Sequence, residues 1–276
     1  GSYFVRNRCR AFREQERRTA MEAEMKQLAE IIKEADLVLV GIGEELDLSR
    51  KERTFKEQDK KQLKEWMLPF IQRHRIRQSK GEMADFYAQL GRCLEGKNYF
   101  IVSLCEDQIM REHGFKQDRI VFPCGGFTKM QCMDKCTPEL FPVPEDLEEK
   151  ILKWKKESGG EEPAEPLCPY CHKPLVFNRV EAPSYAEEGY LEQWGNYRKW
   201  LQGTVNKKLC VLELGAGMTF PTVIRWPFEK VVFFNQKASL VRVHSMLGQV
   251  TEEIADRAYG FSRDPKEFMK ELCDCF

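Results

Sequence analysis

The chain has 276 residues, 42% of them hydrophobic, with 44 Lys plus Arg balanced against 44 Asp plus Glu. That is apolar material enough for one large α/β unit with a smaller insertion, and the zero net charge leaves no global field to gather nucleic acid. No run approaches the roughly 18 apolar residues that span a bilayer, and no charged-then-apolar secretion leader opens the chain, so a cytoplasmic protein without membrane partners is expected. Eleven cysteines, an odd number, fit reduced thiols plus a metal site better than a disulfide framework.

Residues 1–20 read as a tag scar, Gly1 and Ser2, followed by a basic leader whose "YFVRNRCRAFREQERR" holds six arginines. From Met21 the residues Met25, Leu28, Ile31, Ile32 and Ala35 recur at helical steps and predict one buried helix face. The apolar run "ADLVLVGIG" (35–43) then predicts a buried parallel strand ending in a sharp glycine turn. Residues 44–65 are highly charged and predict a mobile loop followed by a solvated helix face. A helical stretch from Met83, an "EGKN" turn and "YFIVS" repeat the helix-then-strand order. "RIVF" (119–122), "LCVLELGAG" (209–217) and "KVVFFN" (230–235) supply three further predicted strands. The alternation argues for a doubly wound parallel, Rossmann-like sheet over 21–126 and 191–276, with ligand at the carboxyl ends of the strands. Residues 127–190 break the pattern and read as a small inserted module.

That module carries the strongest chemical signal. Cys132 and Cys136 are separated by three residues, Cys168 and Cys171 by two, and 31 residues lie between the pairs. Two close pairs on separate turns can surround one tetrahedral Zn²⁺, and four thiolates leave no open position, which makes the expected site structural. Pro169 and Pro174 bracket a tight knuckle, and His172 is not needed as a ligand. The plainer reading, four unliganded thiols, sits poorly with paired spacing in a stretch too apolar-poor for a core of its own.

"VLVGIGEE" and "LELGAGMTFP" each place G-x-G at a strand end, where backbone amides can approach a phosphate. Glycine is also what any tight strand-to-helix turn uses, but two such turns in one sheet point to a nucleotide. "LCVLELGAG" further resembles the first motif of S-adenosylmethionine-dependent methyltransferases. That family sets the motif early and follows it with an acidic strand end, whereas here the strand comes late and its successor ends in Asn235; a methyltransferase is the minor alternative.

Taken in order, these pieces resemble the sirtuins, NAD-dependent protein deacylases and, less often, ADP-ribosyltransferases. The family's G-A-G-x-S turn is matched by Gly41 and Gly43. Its T-Q-N-x-D-x-L-H and catalytic H-G align without gaps on "SLCEDQIMREHGFKQDRIVFPCGG", a four-cysteine zinc module follows, and G-T-S and I-N are matched by "GAGMTFP" and by Phe234–Asn235. The match covers roughly residues 21–260. It implies structural Zn²⁺ on Cys132, Cys136, Cys168 and Cys171, and NAD or ADP-ribose held by Gly41, Gly43, Asp107, Gly215, Gly217 and Asn235. A protein substrate such as an acyl-lysine would complete the reaction.

The chain departs from the family at its chemistry. Cys124 stands in the catalytic histidine's place, and a thiol, titrating near 8.5 instead of 6.5, is a poorer base at neutral pH unless its surroundings lower that value. Cys124 reads either as a weak base or nucleophile or as a small residue filling the histidine's space. Leu104 and Cys105 replace a glutamine and an asparagine, Asp107 persists as the catalytic residue expected to position the carboxamide or ribose, and no P-D-F-R follows Gly43, which removes the arginine expected near the phosphates. Glu44 and Glu45 instead bring negative charge toward the pyrophosphate path. The two readings are a divergent, weakly or differently active sirtuin-like enzyme and a non-catalytic nucleotide sensor.

Overall fold

A computed structural model describes residues 2–157 and 160–276, with side chains from residue 10 onward. In chain order it contains α1 (Ser2–Glu34), β1 (Leu37–Ile42), α2 (Leu48–Lys51), α3 (Glu57–Gln62), α4 (Leu68–Ser79), α5 (Ala84–Cys93), β2 (Asn98–Ser103), β3 (Ile120–Val121), β4 (Gly125–Cys132) and β5 (Phe141–Pro142). Then come α6 (Leu147–Lys156), β6 (Leu175–Arg179), α7 (Glu188–Gln202), β7 (Leu209–Leu214), α8 (Arg225–Phe234), β8 (Ala238–His244), β9 (Ala258–Ser262) and α9 (Pro265–Cys273). Among the described residues no helix is long and apolar enough to cross a membrane.

Six strands form one parallel sheet in the order β3-β2-β1-β7-β8-β9. All six residues of β1 and of β7 are buried, as expected for strands covered on both faces. Side chains alternate between two cores: Val38, Val40 and Ile42 face α1, α4, α5 and α9, while Leu37 and Leu39 join Tyr197, Trp200 and Phe228 of α7 and α8. The strand order reverses between β1 and β7, the position at which open α/β sheets bind ligands beyond the carboxyl ends of their strands. Two charges cross the β7–β8 pair inside the sheet: Glu213, fully buried, accepts 2.8 and 3.1 Å bonds from Arg242, which also pairs with Glu229 of α8.

A second, antiparallel sheet, β5-β4-β6, together with α6 occupies much of the stretch expected to form an inserted module. Strand β4 leaves the body directly, since Phe127 N bonds to the Glu106 carbonyl and Val180 N to the Cys124 carbonyl.

Three expectations need correction. The leader is not separate from the first helix: α1 is continuous from Ser2, its residues 10–20 exposed, and burial begins only at the turn holding Met21 and Met25. Its length is helped by strong helix formers and by Arg10–Glu14 and Arg18–Glu22 pairs at i,i+4. The first half of 44–65 is not a loose loop, since Leu46 and Leu48 are buried; the solvated helix expected after it is α3, of which only Asp59 is buried, clamped by Arg75 and Lys155. "KVVFF" is the end of α8, not a strand, because Ile224, Phe228 and Val232 recur at four-residue steps and bury one helix face while Phe233 and Phe234 stay exposed. The strand that follows β7 is β8, with β9 beside it.

Candidate nucleotide crevice and four-cysteine site

The two cysteine pairs converge. Cys132 ends β4, Cys136 closes the following turn, and Cys168 and Cys171 sit on the loop before β6; the four sulfurs lie within 4.8 Å of one another, with Cys132–Cys171 and Cys136–Cys168 at 3.5 Å. A tetrahedral ion with sulfurs at ~2.3 Å has sulfur–sulfur edges of about 3.8 Å, so the cluster has the size of a zinc site. Each turn is shaped by a residue in the left-handed region, Lys135 (φ 53) and His172 (φ 58), and closed by backbone bonds from Lys135 N to Cys132 O and from His172 N to Cys168 O. Burial opposes ionisation of Cys132, but the backbone amides of Cys136 and Asp134 outweigh it and bring that thiol down to about 7. Cys168 is lowered in the same way, against its burial, by the amides of Cys171 and Tyr170. Cys136, hydrogen-bonded to Cys171, is pushed up, because four neighbouring sulfurs cannot all carry charge without a cation.

The two glycine turns also meet. A Cβ on Gly43 would lie 2.1 Å from Ala216 Cα and 2.2 Å from Gly215 O, so only glycine allows the turn after β1 to touch the turn after β7. Gly215 adopts φ +70, and its N bonds to Val243 O at 2.7 Å. Gly43 N bonds to Leu214 O (2.8 Å) and Glu45 N to Gly215 O (3.1 Å). Beyond this seam the turns offer donors, and carboxylates fill them. Thr219 N bonds to Glu44 Oε1 at 3.1 Å; Ser245 N bonds to both Glu45 oxygens at 3.2 Å, and the Ser245 hydroxyl donates to Glu45 as well. His244 Nδ1 accepts the amides of Met246 and Leu247 at 3.0 Å, which leaves the proton on Nε2, 3.4 Å from Glu45 Oε2. Two arginines flank the seam. Arg225, buried, donates to Ala216 O and Leu247 O, and exposed Arg50 donates to Thr219 Oγ1 at 3.2 Å.

Cys124 borders this region in a buried position, 3% exposed, among Leu104, Val121 and Ala216. Burial first, then the carboxylates of Glu106, Asp47 and Glu44, push its thiol up to about 12, and Arg50 only partly counters them. Cys105 donates its thiol to Gly43 O at 3.5 Å, knitting the β2 turn to the β1 turn. Asp107 is spent on the backbone: Oδ2 accepts Leu48 N at 2.8 Å and Oδ1 accepts Ile109 N at 3.0 Å. Asp47 accepts the amides of Ser49, Glu106 and Asp107, so two buried carboxylates bolt the segment after β1 to the segment after β2. Burial and then Asp47 push Asp107 up to about 8. Glu106 pairs with Arg179 of β6, which ties the module to the body.

Between body and module lie two adjoining cavities, about 590 and 330 Å³, divided by a hydrogen-bonded partition of Gln108, Arg111 and Thr128. Asp107 lines the larger, and Gly125 and Tyr190 the smaller.

Of the residues marked from sequence, Gly43, Gly215, Gly217 and Cys124 surround one region, and Asp107 braces it from the side. Gly41 and Asn235 do not join them. Gly41 lies inside β1, where a Cβ would strike Phe228 and Ile224 of the α8 layer at 2.6 and 2.7 Å. Asn235 caps α8 at the amino end of the sheet, bonding to Thr204 O and Lys207 O, because the strand assigned to it is a helix. Arg50, Thr219, Arg225 and Ser245 went unmarked. Arg50 answers part of the charge assigned to the missing arginine, but it stands on a short helix that charge pattern alone does not reveal.

A Rossmann-like body, an inserted four-cysteine module and an anion-accepting seam at the switch point define the architecture. It is a sirtuin-like fold. A structure solved for the structural basis of sirtuin substrate affinity superposes at TM-score 0.55 and 16% identity, covering 91% of this chain and 98% of that one. A Sir2 variant with deacetylated p53 peptide and 3′-O-acetyl ADP ribose gives 0.52 and 17%, covering 91% and 97%. No family model matches the chain. Among curated proteins, a protein ADP-ribosyltransferase of Staphylococcus aureus (strain Mu50) is 22% identical over 180 residues, 64% of this chain and 57% of the relative. A probable bifunctional ADP-ribose hydrolase/ADP-ribosyltransferase of Fusarium oxysporum f. sp. cubense is 25% identical over 156 residues, 54% and 26%. The chain thus spans little more than half of one curated relative and about a quarter of the other.

Proposed function

We propose that this protein binds NAD or another ADP-ribose-bearing ligand at the seam between the β1, β7 and β8 turns, and that its chemistry is ADP-ribosyl transfer to a nucleophile on another protein. The backbone amides of Thr219 and Ser245, with Arg50 and buried Arg225 beside them, already hold anions in the form of the protein's own carboxylates. Donors of that kind suit phosphate oxygens. Gly43 and Gly215 let the β1 and β7 turns close on each other, Gly217 leaves the space that Glu44 now fills, and Asp107 positions the β2 turn through Leu48 N and Ile109 N. Gly41 and Asn235 maintain the fold.

The observation that carries the choice of reaction is the state of Cys124. The thiol is buried, 3% exposed, and faces the carboxylates of Glu106, Asp47 and Glu44, which together keep it protonated at neutral pH, so it does not replace the histidine that deacylation requires as a base. Transfer of ADP-ribose makes no such demand. The bond from ribose C1′ to nicotinamide breaks with its electron pair leaving on nicotinamide, the incoming nucleophile forms the new bond, and its proton passes to water. The names of the two curated relatives support the same direction. Cys132, Cys136, Cys168 and Cys171 would hold Zn²⁺, which fixes the module without entering the chemistry.

Incubation with NAD labelled in the adenosine half tests this reading. Free nicotinamide with label on protein, and no acyl-ADP-ribose from an acetylated peptide, is the expected outcome. Acyl-ADP-ribose formation would favour the acyl-lysine deacylase instead. Glu44 in the anion seat favours a second reading, a nucleotide sensor without turnover, for which calorimetry would show ADP-ribose binding with no nicotinamide release.

A further inference from the structure

Glu44 is unusual among the crevice residues. It is 7% exposed, one oxygen accepts Thr219 N, and the other, Oε2, is buried with no hydrogen-bond partner among the described residues. Leaving an acceptor of a charged group buried and unpaired is costly, and proteins retain such groups where something other than stability is served. Its neighbour Glu45 makes the matching contact one strand over, on the amide and hydroxyl of Ser245. Consecutive carboxylates therefore sit on the donors at the ends of β7 and β8. A Cβ on Gly217 would meet Glu44 Oε1 at 2.8 Å and His244 Nε2 at 3.2 Å, so Glu44 also fills the space that this glycine keeps open.

We infer that Glu44 and Glu45 are built-in competitors for the phosphate groups of the nucleotide: two adjacent carboxylates hold the two donor positions that a pyrophosphate would take, and a phosphate-bearing ligand must displace them. This rests on the proposed nucleotide site. It goes beyond that reading by naming the residues that set affinity for phosphate, as distinct from affinity for nucleoside. The short 3₁₀ turn Glu44–Leu46 that carries both residues is fastened at its far end by Asp47. Displacement thus requires the two side chains to swing away, not the segment to unfold.

The test measures ADP-ribose, inorganic pyrophosphate and adenosine binding by calorimetry to wild type, Glu44→Gln and Glu44→Gln/Glu45→Gln, with thermal melts confirming that each variant folds. Removing the opposing charge raises affinity for ADP-ribose and pyrophosphate by about tenfold or more, and adenosine affinity stays where it was. Should Glu44→Gln fail to fold, Glu45→Gln alone gives the same contrast. Equal affinity for the phosphate ligands in all proteins overturns the inference and leaves the nucleotide site standing. Weaker ADP-ribose binding by the variants also overturns it, because Glu44 would then be a ligand contact. Binding of no ligand by any of the proteins removes both readings.

Discussion

Replacing Gly43 with alanine tests whether the two glycine turns are held in contact by the absence of one methyl group. The backbone of Gly43, φ −90 and ψ 174, is open to any residue, so torsion alone predicts no penalty. Space predicts a large one. The new Cβ would lie 2.1 to 2.2 Å from Ala216 Cα, Ala216 N and Gly215 O, all backbone atoms that have no rotamer to change. The turns must part by more than about 1 Å, an overpacking cost of about 1–3 kcal/mol. Parting them stretches the Gly43 N–Leu214 O and Glu45 N–Gly215 O bonds, worth about 1 kcal/mol each. Alanine's lower unfolded-state entropy returns about 0.4–1 kcal/mol, which leaves a net loss of about 2–5 kcal/mol. Urea unfolding followed by circular dichroism reads this as a lower midpoint at unchanged slope. Gly91→Ala, in α5 with Phe115 at an ordinary 3.8 Å, is the opposite case and should stabilise by about 0.5–1 kcal/mol. If Gly43→Ala lies within 1 kcal/mol of wild type, the seam is not the tight contact described.

Three further outcomes are expected. Protein purified without chelator should carry about one equivalent of Zn²⁺ by elemental analysis, and Cys168→Ser should lose it with a drop in melting temperature; full metal content in the variant would refute the four-thiolate site. Under native conditions at pH 8, iodoacetamide should leave Cys124 unmodified, as peptide mass mapping can check, because the thiol is buried and its pKa pushed up to about 12. Asp107, raised from 3.8 to about 8, contributes stability that is fully present below its unfolded pKa and is lost as pH rises through its folded one. Urea midpoints should therefore fall between pH 5 and pH 8 through this group, and Asp47→Asn should flatten that fall by removing the like charge, whatever it does to stability at a single pH; an unchanged slope would contradict the coupling.

Much of the frame was legible because it depends on short-range pattern. Continuous apolar runs gave β1, β2 and β7, and the paired spacing of Cys132, Cys136, Cys168 and Cys171 gave the cluster whole. The misreading of 230–235 came from weighing β-branched and aromatic content over period. Val231–Phe234 favours a strand by composition, yet the four-residue recurrence of Ile224, Phe228 and Val232 was present in the sequence, and tertiary burial followed it. That one error carried Asn235 to the wrong end of the sheet. The order in the charged stretch 44–65, beyond its solvated helix, was hidden for a different reason. Its order comes from partners distant in sequence, Asp47 with the amides of Glu106 and Asp107 and Asp59 with Arg75 and Lys155, and no local pattern encodes them. The role of Arg50 was hidden for the same cause. The acidity of Glu44 and Glu45 after the first glycine turn was visible, but not that the carboxylates occupy backbone donors.

Strand β4 begins at Gly125, next to Cys124, and ends on Cys132, so one strand of eight residues, irregular in its pairing with β6 between Gly125 and Met130, joins the position of Cys124 to the sulfur cluster. That strand is also bonded to the β2 turn through Phe127 N and Glu106 O, so its near end is fixed to the body. If the four thiolates hold zinc as proposed, removing the metal frees the far end of this strand, and the backbone beside Cys124 at its near end is where that loss would be felt.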